Sequence, residues 1–315
     1  MDVVGFGALN VDLVYEVDLS LLGIETGRER IGKYEEFKSL LQYLKDKKSI
    51  KMKSGGGSAA NTIYALSKMG FSCGYIGKIG KDKDGEFLLE GLKKEGVDTS
   101  KILQNQNEKS GLCIVLLDKR KDRSIIILPN ANDSLSYSEI DIDYINKAKF
   151  LHITSLLGKV PFEAQKIIAQ KTKAKISFDP GEPHVKRGLK ELSPILKSSF
   201  IVFPSQEEVR MLTGKDYKNG AREMLNYGIK IVACTRGDKG SYILSKNEEI
   251  ELPSEEAEVV DTTGAGDVYA AGFLAGLLKG YTLFKCAKLA TKAAAQSIKD
   301  YGRRSYPDKR ILSQI

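Results

Sequence analysis

Tryptophan is absent from this 315-residue chain, histidine occurs twice, and cysteine only four times. The cysteines, Cys73, Cys113, Cys234 and Cys286, lie far apart, with no C-x-x-C pair and no Cys/His cluster. That spacing excludes a zinc module and a disulfide scaffold, and it fits a reducing cytosol. Long apolar runs are missing too. The longest, 268–278, has 11 residues, whereas a bilayer-spanning helix needs about 20. Asp2 stands where a secretory signal would carry basic residues, so no leader is expected. Proline is sparse, at eight residues, and no serine-rich linker or internal repeat divides the chain. One cytoplasmic domain over 1–315 is expected.

Charge of one sign is in modest excess. Against 41 Asp and Glu stand 49 Lys and Arg, a formal +8, and the signs are interleaved, as in Lys81-Asp82-Lys83-Asp84 and Lys93-Lys94-Glu95. The densest basic stretch, 119–123, contains Asp122 and follows Asp118. Interleaved charges make solvated faces, not a stripe that tracks a phosphate backbone, so no nucleic-acid partner is expected, nor a membrane one. What is present is a globular composition: 42 % hydrophobic and 29 % charged residues. A chain of this length buries a large core without staples.

Apolar runs of strand length alternate with helical stripes. Residues 3–7, 73–77, 150–154, 175–179, 200–203 and 230–234 read as short buried strands. Helices are expected near 59–69, 85–94, 162–170, 188–197, 207–212, 266–279 and 283–298. Short apolar strands separated by amphipathic helices specify a parallel sheet covered on both faces. Two stretches break the rhythm. Residues 11–17 alternate apolar and polar, while 112–117 and 124–128 are strand-like runs joined by a charged turn. They predict a small separate β-sheet, a lid drawn from about 12–18 and 110–130 beside a ligand cleft.

Two nucleotide-binding patterns nearly match and fail. Residues 27–34 fit GxxxxGK, but Tyr34 stands where a hydroxyl must reach magnesium, and no strand precedes it. Gly5-Phe6-Gly7-Ala8-Leu9-Asn10 follows a strand, yet Asn10 replaces the third glycine and no helix follows. The informative segment is Asp261-Thr262-Thr263-Gly264-Ala265-Gly266-Asp267, which runs into a helix-like stretch. Gly264, Ala265 and Gly266 carry little or no side chain, so their N–H groups can converge on an anion at a helix N-terminus. Asp267 falls in the first helical turn. It could be an ordinary cap, but beside an anion hole it can also take a proton from a hydroxyl attacking a phosphoryl group.

That segment resembles the C-terminal signature of the ribokinase (PfkB-type carbohydrate kinase) family, and three other stretches resemble its motifs in order. Ser54-Gly55-Gly56-Gly57-Ser58-Ala59-Ala60-Asn61 is similar to the family's N-terminal glycine signature. Gly77-Lys78-Ile79-Gly80-Lys81-Asp82 with Gly85 resembles its G-x-x-G-x-D-x-x-G stretch. Thr235-Arg236-Gly237-Asp238-Lys239-Gly240 resembles its T-x-G-x-x-G turn. The resemblance implies a ribokinase-like three-layer α/β sandwich around a mainly parallel sheet, with a small β-sheet lid. It also implies a kinase that moves the γ-phosphoryl of Mg-ATP to a primary hydroxyl.

By that resemblance, Asp267 is the catalytic base and Gly264, Ala265 and Gly266 form its anion hole. Asn10, Asp12, Gly56, Gly57 and Asn61 would hold the acceptor. Ser205, Thr235, Gly237 and Gly240 would line the nucleotide site. Glu208 would serve Mg2+ indirectly, through an Asn-x-x-Glu motif in which Ser205 replaces the Asn. Asp261 and Thr263, completed by Ser297 and Gly302, match a loop that holds a monovalent cation such as K+ in some members. A ribose- or fructose-like sugar is the first acceptor. The insertion containing Leu21-Leu22-Gly23-Ile24 and a helix near 35–46 looks more like adenosine-kinase-type members, which makes a nucleoside the alternative. A nucleoside base needs an apolar slot, for which Phe6, Tyr15, Phe37 and Cys113 are candidates. A non-enzymatic ligand binder on this fold is a third reading, disfavoured by the intact Asp267. His152 and His184 are expected to be ordinary histidines. The assembly the resemblance allows is a homodimer through the lid.

Overall fold

The computed structural model describes residues 1–19, 22, 29–47, 50–117 and 123–315. The charged turn at 118–122 and most of the insertion at 20–28, with Gly27 of the GxxxxGK stretch, lie outside the described residues. Fourteen strands form two sheets among those that are described. In chain order they are β1 (Val3–Phe6), β2 (Asn10–Glu16), β3 (Glu29–Ile31), β4 (Ile50–Gly56), β5 (Cys73–Gly80), β6 (Asp98–Asn105) and β7 (Gly111–Leu117). The series continues with β8 (Arg123–Leu128), β9 (Phe150–Thr154), β10 (Lys175–Asp179), β11 (Ser199–Val202), β12 (Ile231–Thr235), β13 (Ser241–Ser245) and β14 (Glu249–Leu252).

The larger sheet has the order β14-β13-β12-β11-β10-β9-β1-β5-β6. Pairing is parallel from β6 to β12 and antiparallel only where β13 and β14 complete one edge. Strands β1, β5 and β9 are buried at every position, as central parallel strands must be when helices cover both faces. Alternation then sends successive side chains to two separate cores. Along β12, Ile231 and Ala233 join one core while Val232 and Cys234 join the other. The first core is closed by the helices Ser58–Lys68, Ala265–Leu278 and Leu283–Ser297, the second by Lys159–Lys171, Gly188–Ser198 and Tyr217–Leu225. No helix among the described residues is long and apolar enough to cross a membrane.

The smaller sheet has the order β3-β8-β7-β2-β4. Besides the expected β2, β7 and β8 it includes β3 and β4, the latter ending within the glycine triplet, at Gly56. Strand β4 is an edge strand carrying Lys51 and Lys53, charges that guard an exposed edge against pairing with another chain. Residues 7–9 join β1 to β2 and Gly57 joins β4 to the helix Ser58–Lys68. Both connections place the smaller sheet at the C-terminal ends of the parallel strands, where ligands bind in open α/β sheets. The Gly77–Asp82 motif is structural. Strand β5 runs through it to Gly80, and Asp82 then caps the helix Lys83–Lys94, accepting from the Gly85 N–H at 2.8 Å and from both the N–H and hydroxyl of Ser110.

Candidate active site

Gly57 and Gly264 bring two helix N-termini face to face. Gly57 has φ +97°, and the Ala8 carbonyl presses so close to its Cα that no side chain fits. Gly264 is the left-handed N-cap of Ala265–Leu278, at φ +78°, and a Cβ there would stand 2.5 Å from the Tyr306 hydroxyl. Glycine is the residue that adopts both conformations without steric penalty. One turn into each helix, the side chains meet. Ser58 donates its hydroxyl to Asp267 Oδ1, and Asn61 Nδ2 donates to Asp267 Oδ2 at 2.8 Å. Thr62 adds a bond from its hydroxyl to the Asp267 carbonyl, at 3.1 Å. Asp267 therefore does not cap its own helix; its carboxylate is held outward by the neighbouring one. Burial pushes it up to about 6, although the bonds from Ser58 and Asn61 and the nearby Arg303 guanidinium hold it down.

Asp12 lies across from this pair. Its carboxylate packs against the Cα of Gly56, which leaves no room for any larger residue there. Burial pushes Asp12 up to about 7; Arg303 opposes the rise, and the charges of Asp267 and Asp261 add to it. Asn10 is fixed by a residue that sequence reading missed. Buried Asn132 accepts from the Leu9 N–H at 2.8 Å and donates to the Leu9 carbonyl at 3.1 Å and to Asn10 Oδ1 at 3.0 Å. With its oxygen so occupied, Asn10 offers its amide N–H groups to a ligand.

On the far side of Gly264 lies a cavity of about 520 Å³. Thr235, Gly237, Gly240, Ala265 and Gly266 line it, and Tyr269, Val259 and Ile298 supply apolar walls. Gly266 is exposed there, with nothing within 4 Å of where a Cβ would be. The Ala265 N–H closes a turn onto the Thr262 carbonyl at 3.2 Å. Ser205 is not among the lining residues. It caps the helix Gln206–Thr213 in a reciprocal box: its hydroxyl accepts from the Glu208 N–H at 3.2 Å, and Glu208 Oε2 accepts from the Ser205 N–H at 2.7 Å.

Glu208 has a neighbour that sequence reading also missed. Asp179, the last residue of β10, is raised well above the usual carboxylate range by burial and by the facing charges of Glu208 and Asp267. The signal was there: an acid ending a buried strand, followed by Pro180-Gly181, at the edge where ligands sit. Asp261 accepts from the Thr263 N–H at 3.0 Å and the Gly302 N–H at 3.4 Å, so two of the expected cation-loop residues and Gly302 do come together. Ser297 lies apart in its bonding, its carbonyl accepting from the Ser305 hydroxyl at 2.7 Å.

Of the four candidates for an apolar slot, Phe6 and Tyr15 are corrected. Both point into the two cores and are buried there, because alternation along β1 and β2 leaves no choice. Phe37 packs against the first core. Cys113 alone sits directly opposite Asp12, in the register of β2 with β7. His152 and His184 are buried, bonded to Ser177 and Gln165 at 2.8 Å each, and burial pushes both down to about 3, so they stay neutral.

The two raised carboxyls carry a prediction about stability. A carboxyl whose folded pKa lies above its ordinary 3.8 stabilises the fold fully only below that ordinary value, and the contribution is lost as pH rises through the folded pKa. For Asp12 that window runs from about 4 to about 7. Asp12→Asn should therefore melt higher than the wild type, by a margin that widens from pH 5 to pH 8. A constant margin in calorimetry would show that Asp12 is not buried as a charge.

A family model for "pfkB family carbohydrate kinase" matches residues 22–310. An uncharacterized sugar kinase of Archaeoglobus fulgidus is 38 % identical over 242 residues, covering 76 % of this chain and 96 % of the relative. Among solved structures, adenosine kinase from Sinorhizobium meliloti superposes with a TM-score of 0.85 at 24 % identity, over 99 % of this chain and 98 % of that one. Ribokinase from Thermotoga maritima does so with 0.82 at 24 % identity, over 100 % and 98 %. At that identity the two structures establish the fold.

Proposed function

The chain belongs to the pfkB family of carbohydrate kinases, and from that premise we propose that Asp267 takes the proton of a sugar's primary hydroxyl as that oxygen attacks the γ-phosphorus of ATP. One observation carries the reading. A carboxylate held by Ser58 and Asn61 stands at a glycine-opened helix N-terminus, with the 520 Å³ cavity on one side and Asp12 on the other. The nucleotide would lie in that cavity, its phosphates against Gly264 and Gly266, where the helix dipole favours negative charge. The acceptor would lie under the smaller sheet, its hydroxyls on Asn10, Asp12 and Asn61. The new P–O bond forms as the bond to the ADP oxygen breaks, and the hydroxyl proton passes to Asp267. A carboxyl raised to about 6 is ionised at neutral pH yet more basic than an exposed aspartate, which suits a general base.

Magnesium would arrive with the nucleotide. Among the described residues no group of three or more His, Cys, Asp or Glu could hold a metal ion, which fits a cation bound mostly by phosphates and water. Asp179 and Glu208, whose negative charges disfavour one another, are the carboxylates it would relieve. The cation would draw electron density from the transferred phosphoryl group. K+ at the 261–263 loop, beside Gly302, belongs to the same reading, as does a cytosolic setting. The smaller sheet would be the lid. Its face bearing Asp12 continues through Cys113, Ile127 and Ile31, which lie in register across four strands. Half-exposed apolar residues on that face suit contact with a second copy of the chain.

A sugar is favoured over a nucleoside because the ligand-facing groups are polar and two of the aromatic slot candidates lie in the cores. The adenosine kinase fold likeness keeps the nucleoside as the alternative. The test is a phosphorylation screen of ribose, fructose, other sugars, adenosine, cytidine and inosine with Mg-ATP and Mg-ADP. Turnover of a sugar and not of nucleosides is expected; turnover of adenosine alone would reverse the order. Gly266→Ala tests the donor half. Alanine in a helix gains up to about 1 kcal/mol over glycine, so the variant should melt no lower while binding ATP more weakly by calorimetry. Unchanged ATP affinity would place the phosphates elsewhere.

A further inference from the structure

The acceptor half contains one cation that this reaction leaves without a role. Arg303 lies in the C-terminal segment, its guanidinium 4.8 Å over the Tyr64 ring. Its Nε–H donates to Asn61 Oδ1 at 2.9 Å, and its Nη2 is enclosed with no protein partner. A Cβ on Gly55 would stand 3.0 Å from Nη1, so glycine there leaves the guanidinium its place. We propose that Arg303 is a positioning residue: it sets which way the Asn61 amide points, and the amide sets the Asp267 carboxylate. The proposal rests on Asp267 being the base.

An amide oxygen only accepts and its NH2 only donates, whereas a guanidinium only donates. Arg303 therefore claims Oδ1 of Asn61, and Nδ2 is left for Asp267 Oδ2 at 2.8 Å. With the amide turned over, N–H would meet N–H and oxygen would meet carboxylate. Both mismatches would leave half-buried polar groups unpaired, which is the expensive outcome. Ser58 holds the other carboxylate oxygen, so the relay from Arg303 decides the remaining degree of freedom.

Charge gives the same residue a second effect on the same group. The ionisable groups facing the guanidinium are Asp12 from β2, Asp261 from the loop before the helix Ala265–Leu278, and Asp267 from that helix, together with Tyr64, Tyr75 and Tyr306. Asp267 in turn faces Asp12, Asp179, Tyr75 and Tyr306 besides its partners Ser58 and Asn61. Arg303 is the positive charge in this set, and it favours the ionised form of both Asp12 and Asp267 against their burial.

Arg303→Met keeps the apolar stem and removes the charge and the Nε–H. In protein carrying 13C at aspartate side-chain carboxyls, the Asp267 signal is assigned by its loss in Asp267→Asn. Its titration midpoint should move up by about one pH unit in Arg303→Met and stay near the wild-type value in Arg303→Lys. Whichever of fructose, ribose or adenosine is turned over with Mg-ATP, the acid limb of kcat should move with it. Turnover at pH 5, below both midpoints, then falls about tenfold, one decade per pH unit, and is largely recovered at pH 8.5. In an Asn61→Ala background, Arg303→Met should move the Asp267 midpoint less than it does with Asn61 present, because the relay is already broken. Should the Met variant not fold, Arg303→Gln carries the same test, since it is neutral. An arginine that only braces the fold would lower the melting temperature and depress kcat alike at every pH. An unmoved Asp267 midpoint, or a shift as large without Asn61 as with it, would overturn the proposal. The titration needs no acceptor, so absence of turnover on every acceptor counts against the kinase reading, and an unmoved midpoint counts against Arg303.

Discussion

Asp267→Asn should lower kcat by about 10²–10⁴, the range for loss of a positioned general base, while ATP affinity changes little. The substitution is close to isosteric and its bonding can be satisfied. The new amide oxygen can accept from Asn61 Nδ2, and the new NH2 can donate to Ser58, because a hydroxyl both donates and accepts. The glycine-opened turn at Gly264 does not depend on the Asp267 side chain, since that helix has no side-chain cap. What is lost is the capacity to take a proton. The wild-type pH profile should show an acid limb near 6, set by burial, and the variant should lack it. Steady-state kinetics across pH 5–9 together with ATP titration calorimetry check both halves. Near-normal turnover, or a limb that survives the substitution, would remove Asp267 from the proton-transfer role.

The parts of this molecule that were legible from sequence are those in which one residue type is required by local physics. Strands β1, β5 and β9 are buried throughout and so are written as apolar runs. Gly57 and Gly264 occupy positive φ, and the motifs around them follow from that requirement. Strand β4 has no such signature. Its Ile-Lys-Met-Lys-Ser run is half-exposed, and what makes it a strand is antiparallel pairing to β2, in which Asp12 opposes Ser54 and Asn10 opposes Gly56. Strands β6 and β14 are edge strands of the same half-exposed kind, whose place comes from a partner, whereas β13 carries the buried run Tyr242-Ile243-Leu244 and is legible in principle. Site residues followed the same division. Asp267 announced itself within seven residues of sequence, whereas Arg303 meets Asn61 across 242 positions, and no local pattern marks it. The Ser205 substitution was visible as a departure, but its consequence, a capping box with Glu208, appears only when the helix is built on it. Phe6 and Tyr15 were misplaced because an aromatic near a cleft in sequence can still point to either face of its strand.

Asp12→Ala should weaken acceptor use by about 1.5–3 kcal/mol, the range for hydrogen bonds to a charged group, which is roughly a 10- to 150-fold loss in kcat/KM. The geometry makes the loss specific. Asp12 sits on β2 with its carboxylate against the bare Cα of Gly56, so it faces the acceptor side and lies away from the cavity lined by Thr235 and Gly237. ATP affinity should stay unchanged. Because burial lifts Asp12 to about 7, its hold on paired hydroxyls should depend on pH: acceptor KM should rise as pH falls through 7, and that rise should vanish in the alanine variant. Asp12 loses its charge at a higher pH than Asp267 does. Asp12, lifted to about 7, is already mostly protonated where Asp267 titrates near 6, so Asp12→Ala should leave the acid limb of kcat close to its wild-type position, unlike the loss of Arg303. A rise in ATP dissociation constant with unchanged acceptor KM would mean that the two half-sites are assigned the wrong way round. A limb shifted clearly downward would mean that Asp12 is still ionised where Asp267 titrates.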